Sequence, residues 1–256
     1  MVRGINKFKD FFAGYEDNYI IIGGTACNIL DEMQNRPPRA TRDIDIVLIV
    51  EALTVDFGKR FWEFVRTGDY ETRQRGDGKH EYFRFMRPKE EDFPFQIEIF
   101  SRKPDVLEMA EDARLTPIPL DEDLSSLSAI LMNDDYYHFT LDRSIVEDGV
   151  RLANTESLIV LKAKAFIDLS ERKSDGQAID RKDINKHKND VFRLTTILPP
   201  MEQFTLPATL QNDMNVFCEM VSQSLPDKAF FKSIALDSRP EDVFASLCEA
   251  FQIEQS

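Results

Sequence analysis

Cysteine is scarce in this chain. Cys27, Cys218 and Cys248 are the three it has, odd in number and far apart, which excludes a disulfide framework and offers no zinc spacing. Histidine is as rare: His80, His138 and His187 are scattered, with neither metal spacing nor a nucleophile partner. No apolar run approaches the ~20 residues of a membrane span and the N-terminus shows no signal-peptide pattern, so a cytoplasmic protein without a membrane partner is expected. A Walker A pattern is missing, which excludes a P-loop ATPase. Positive charge is also short. The 32 Lys and Arg stand against 46 Asp and Glu, a formal charge of -14, the wrong sign for a general nucleic-acid coat. The imbalance is uneven, since residues 172–193 hold seven Lys or Arg against four Asp.

What remains is ordinary globular material: 256 residues, 42% hydrophobic and 30% charged, enough for one large domain or two modest ones. Residues 5–12 read as a short amphipathic helix and Tyr19-Ile20-Ile21-Ile22 as an apolar strand. Gly23-Gly24 then turns into a helix from Thr25 to about Gln34, stopped by Asn35-Arg36-Pro37-Pro38. A strand begins at Asp43, and residues 55–65 form a second helix with Phe57, Phe61, Trp62, Phe64 and Val65 on its buried side. Residues 70–75 and 80–87 are strand-like around the turn Gly76-Asp77-Gly78-Lys79, which predicts a hairpin. A further strand covers 93–100, short strands are expected at 128–132 and 144–152, and Asp121-Glu122-Asp123 and Asp134-Asp135 read as solvent-facing loop. From Ser157 the periodicity is helical, punctuated by Pro199-Pro200, Pro207, Pro226 and Pro240. The expected organisation is an α/β core over residues 1–155 and a helical part over 156–256.

The chemistry concentrates on Thr41-Arg42-Asp43-Ile44-Asp45-Ile46-Val47-Leu48. A strand sends alternate side chains to opposite faces, so both carboxylates project one way and Ile44 and Ile46 the other. Two anions on a largely apolar strand repel each other and resist desolvation, and a divalent cation between them removes both costs. Glu98, in Phe95-Gln96-Ile97-Glu98-Ile99-Phe100, is a second isolated acid, sharing a face with Gln96. If these strands are neighbours, three carboxylates converge. Such a set holds two magnesium ions roughly 3.5–4 Å apart and suits in-line displacement at phosphorus. Gly23-Gly24-Thr25, between strand and helix, lets backbone approach a ligand and offers helix amides to phosphate, though the same sequence also serves as a plain tight turn. Thr25 adds a hydroxyl or caps the helix. Tyr82, Phe83, Phe85, Phe93 and Phe95 read as core rather than as a base-stacking platform.

The order Gly-Gly-Thr-Ala, then Thr-Arg-Asp-Ile-Asp-Ile, then an isolated acid in a later strand resembles the nucleotidyltransferase superfamily built on the polymerase-beta-like fold. Within it the chain looks most like the AbiEii-type toxin nucleotidyltransferases, which include the MenT-like toxins. The narrower likeness rests on Glu156-Ser157-Leu158-Ile159-Val160-Leu161-Lys162-Ala163-Lys164-Ala165 and on the basic stretch from Arg181-Lys182-Asp183 through Lys188-Asn189-Asp190-Val191-Phe192-Arg193-Leu194. It covers about residues 18–195; the last sixty or so residues match nothing in the family.

The resemblance implies a mixed-sheet nucleotidyltransferase core (an α/β, or α+β, fold) with a C-terminal helical part. It implies that Gly23, Gly24 and Thr25 hold the triphosphate of an NTP and that Asp43 and Asp45 bind magnesium. Glu98 is then the third acid, at the metals and helping to deprotonate the acceptor hydroxyl. Arg42 is assigned to a phosphate or to the adjacent carboxylate. Lys162 falls where the toxin group has a lysine on its first C-terminal helix. The group's Lys-Asp motif maps onto Lys182-Asp183 or onto Lys188 and Asp190, the second keeping the spacing to Val191-Phe192-Arg193-Leu194. Partners implied are an NTP, an RNA acceptor such as a tRNA 3′ end, and a cognate antitoxin. The alternatives are a transferase acting on a protein or small molecule, and a nucleotide-binding module without activity. One departure is length: eighteen residues separate Gly24 from Asp43, more than in compact members, the excess lying in the loop 35–40, whose Arg36 and Arg39 are read either as solvated or as touching phosphate or acceptor.

Overall fold

The computed structural model of the protein describes residues 2–37, 41–72, 82–100, 130–131 and 133–254. They group into two units. One takes the described residues of Met1–Ile29, Pro38–Ser128 and Ser144–Ala153; the other takes those of Leu30–Pro37, Ala129–Arg143 and Asn154–Ser256. The change of unit near the expected boundary falls after Ala153, and two earlier segments, 30–37 and 129–143, belong with the C-terminal helices.

The first unit is built on a mixed sheet. Its strands are β1 (Tyr19–Ile22), β2 (Asp43–Leu48), β3 (Glu71–Thr72), β4 (Tyr82–Met86), β5 (Gln96–Phe100), β6 (Ser144–Glu147) and β7 (Val150–Ala153), in the order β3-β4-β5-β2-β1-β7-β6. β2 pairs antiparallel with β1 and parallel with β5, while β7 runs parallel to β1. The strands that carry more than one isoleucine, β1, β2 and β5, therefore sit in the interior of the sheet.

One sheet face is packed by the helices α1 (Ile5–Phe12) and α3 (Val55–Thr67) through aromatic rings. Phe8 meets Tyr19 edge-on at 5.2 Å, and Phe61 and Trp62 meet Phe85 at 5.4 and 5.8 Å. Phe64 sits at the centre, 4.8 Å from Phe93, 5.1 Å from Phe11 and 5.3 Å from Phe12. Thr54 caps α3 by accepting from Phe57 N–H. Of the aromatic residues expected in the core, Phe85 and Phe93 are buried, whereas Phe95 is half-buried.

Three local expectations change. The strand expected over 144–152 is a hairpin, β6 and β7, because Asp148 and Gly149 take φ of 49° and 76°, the two left-handed residues of a tight strand turn. Of the strand expected at 128–132, only Ile130 and Leu131 are described, one helical and one in a turn. Asp134–Asp142 is a helix, α4, where a loop was expected; Asn133 caps it by accepting from the Asp135 and Tyr136 amides. The turn at residues 76–79 lies outside the described residues.

The second unit also contains α5 (Thr155–Ser174), α6 (Arg181–Thr195), α7 (Ala208–Ser222), α8 (Lys228–Ser233) and α9 (Pro240–Ala250). Residues 156–163 of α5 are all buried, so the first half of this helix is enclosed, while 168–174 reach the surface. It packs on α6 and α7. Phe166 meets Phe217 of α7 at 5.3 Å, and Phe192 of α6 stacks on Phe244 of α9 at 6.4 Å.

Phe64→Ala should lower the unfolding free energy by about 3–5 kcal/mol, the cost of an aromatic cavity. Urea denaturation at an unchanged m-value checks this; a loss below about 1 kcal/mol contradicts Phe64 as the centre of the packing.

Candidate active site

The acids meet because the strands that carry them are neighbours in register. Asp45 is paired with Glu98 and Asp43 with Gln96 across the parallel β2–β5 ladder, and Arg84 is paired with Glu98 across the antiparallel β4–β5 ladder. Residues in register share a face. Asp45, Glu98 and Arg84 thus form one row, with Asp43 and Gln96 in the next. Ile44, Ile46, Ile97 and Ile99 point to the opposite face and are fully buried. Asp43 and Asp45 are half-buried, whereas Glu98 is only 7% exposed. Its Oε1 accepts from Arg84 Nε at 2.8 Å and from Gln96 Nε2 at 2.7 Å.

The glycine bend abuts this row. Gly23 has φ of 69°, and a Cβ built on it would overlap the Asp45 carboxylate. Both the backbone conformation and the close approach therefore call for glycine. Helix α2 (Gly23–Met33) begins at that bend, and the amides of a first turn have no acceptor within their own helix. Gly23 and Gly24 are buried. Thr25 neither caps the helix nor aims its hydroxyl outward: the hydroxyl is fully buried and donates to the Asp43 carbonyl at 2.6 Å. What Thr25 can offer a phosphate is its backbone amide. Arg42 is exposed, and its carbonyl accepts from Phe95 N–H at 3.2 Å.

Among the described residues no three His, Cys, Asp or Glu side chains stand close enough together to hold one metal ion. The donor set that fits a cation is the pair Asp43 and Asp45. Magnesium is commonly bound by one or two carboxylates, with water and substrate phosphates filling the remaining positions. Glu98 shares their face but is held by Arg84 and Gln96.

In the second unit, Lys162 and Asp190 do come together. Lys162 Nζ lies 3.3 Å from Asp190 Oδ2, and the two side chains are 3% and 5% exposed. Lys188 takes another direction: its ammonium donates to the Ser224 carbonyl at 2.7 Å, and burial pushes its pKa down. Two residues along a helix are ~200° apart, so Lys188 and Asp190 diverge, and the structure couples Asp190 to Lys162 instead. Lys164 pairs with Asp168 at 3.1 Å and Asp213 at 3.6 Å.

The shortest buried ion pair described in this unit was not anticipated. Arg193 Nε donates to Asp31 Oδ2 at 2.6 Å, with side chains 9% and 1% exposed, and Arg193 also donates to the Pro37 carbonyl. Arg36 donates to the Thr196 hydroxyl at 2.5 Å and to its carbonyl at 2.8 Å. Arg36, expected in a solvated or phosphate-facing loop, is therefore a structural tie; Arg39 lies outside the described residues. Burial raises the Asp31 carboxyl above its usual range, with Arg193 pulling the other way. A charged residue recurring in the basic stretch was the only signal for Arg193. Arg84 had a clearer one, a lone cation in the aromatic strand Tyr82-Phe83-Arg84-Phe85-Met86.

Asp31→Ala strands a buried guanidinium and should destabilise the protein by about 3–5 kcal/mol, read as a fall in the urea midpoint. A change within about 0.5 kcal/mol, the range of neutral surface substitutions, contradicts the pairing.

No protein-family model matches the chain, and no curated protein sequence matches it. Among solved structures, the chain is similar to the crystal structure of an antigenic nucleotidyltransferase-like protein from Paracoccidioides brasiliensis. The identity is 16% and the TM-score 0.48, over 100% of this chain and 97% of that one.

Proposed function

We propose that the protein is a metal-dependent nucleotidyltransferase, moving a nucleoside monophosphate from an NTP to a hydroxyl acceptor with release of pyrophosphate. The observation that carries this reading is the packing of the Gly23 bend against Asp45 in a row of acids shared by β2 and β5. A bend of this kind can be a plain tight turn, but this one brings the start of a helix up against the acid row, the juxtaposition that phosphate binding beside a metal uses.

In this reading the first-turn amides of α2 receive the triphosphate, since helix N-termini attract anions. Asp43 and Asp45 hold magnesium. Bound there, the ion supplies charge neutralisation at phosphorus and acidifies the acceptor hydroxyl. The acceptor oxygen bonds to the α-phosphorus, the bond to pyrophosphate breaks, and the hydroxyl proton passes to a carboxylate of the row. The chain's contribution is mostly positioning and electrostatics, as is usual at phosphorus.

The acceptor in this proposal is an RNA hydroxyl such as a tRNA 3′ end, and the setting an AbiEii-type toxin paired with an antitoxin. Support for RNA comes from α6, where Arg181, Lys182 and Lys186 are exposed, a local basic surface on an acidic chain. Transfer to a protein or small molecule is the competing outcome.

Incubation with magnesium and each α-labelled NTP, with and without total tRNA, tests this. Label should appear on RNA, and Asp43→Asn should cut the rate by at least about 10³-fold with an unchanged circular dichroism spectrum. Label on protein instead would move the acceptor class. Full activity in Asp43→Asn would remove the metal assignment.

A further inference from the structure

The row that carries the acids also carries a fixed cation. Arg84 stands one strand beyond Glu98, as Asp45 stands one strand before it. Its Nε donates to Glu98 Oε1 at 2.8 Å, and the side chains are 19% and 9% exposed. The same oxygen accepts from Gln96 at 2.7 Å. Charge-assisted bonds of this kind are short and strong, and little water reaches this one to weaken it. A guanidinium stays protonated under all ordinary conditions. Glu98 is thus already neutralised by Arg84.

A second divalent ion between Asp45 and Glu98 would have to share Glu98 with Arg84. Like charges at neighbouring positions in a partly desolvated site shift a binding constant by tenfold or more. We infer that Arg84 serves as the site's built-in second cation, so that the row takes one divalent ion, on Asp43 and Asp45, where the three acids alone would take two. Arg84 is a positioning residue in this scheme, acting through Glu98. The inference rests on the nucleotidyltransferase reading of the same site.

Manganese is the probe. Free Mn²⁺ is titrated into the full chain and followed by electron paramagnetic resonance, and ions are counted above those retained by Asp43→Asn, which removes weak binding to the acidic surface. One ion is expected on the wild-type chain, one on Arg84→Lys, and two on Arg84→Gln, the second arriving at least tenfold more tightly than any second ion on wild type. Two ions on the wild-type chain overturn the inference, as does a single ion on a folded Arg84→Gln. Should that variant not fold, the wild-type count alone decides. Equal counts on the wild type and Asp43→Asn would sink the metal reading of the aspartate pair itself, which separates the two failures.

Discussion

A side chain cannot be added at position 23, and the arrangement around the acids depends on that. The backbone there turns with positive φ, and the space a Cβ would fill belongs to the Asp45 carboxylate. Because β1 ends at Ile22, opposite Asp45 in the β1–β2 ladder, the chain must leave the sheet at the level of the acid. It leaves through the start of α2. The Thr25 hydroxyl then returns to the Asp43 carbonyl, tying the first turn of that helix to the strand bearing both aspartates. Bend, helix start and carboxylates are one mechanical piece.

Charge is handled differently in the two units. In the sheet, the most enclosed acid, Glu98, has a guanidinium and an amide on one oxygen, while the less enclosed Asp43 and Asp45 keep contact with water. In the helical unit, buried acids face buried cations: Asp31 with Arg193, Asp190 with Lys162. Pairs of this kind cost much to break and contribute little when intact. Their effect is to fix which helix faces meet, since a rotation of α6 would leave two charges buried without counter-ions.

Periodicity made most elements readable in the sequence. β1, β2, α1 and α3 follow from apolar runs and their spacing, and the expected bounds differ from the observed ones by a residue or two. The Asp-Gly pair at 148–149 was a hairpin signal hidden in an otherwise continuous strand pattern, and Asn133 was a cap signal masked by the acidic residues after it. Asp43, Asp45 and Glu98 were legible as isolated acids in apolar strands. Their parallel pairing was not, because local pattern carries no information on which distant strand comes alongside. For the same reason Arg84 escaped notice as a partner of Glu98. The Lys188–Asp190 spacing carried no information on direction: in the helix the two side chains diverge, and Asp190 pairs with a lysine from a different helix.

The β2–β5 ladder brings together residues that are fifty or so positions apart, and β4 intervenes between them in the chain. Contacts of such separation close late, after local helices and turns have formed. During synthesis, then, the aspartates emerge well before the strand that completes their row. A nascent or partly folded chain carries the conspicuous sequence motif without the assembled row of acids, which forms only once the centre of the sheet has zipped shut.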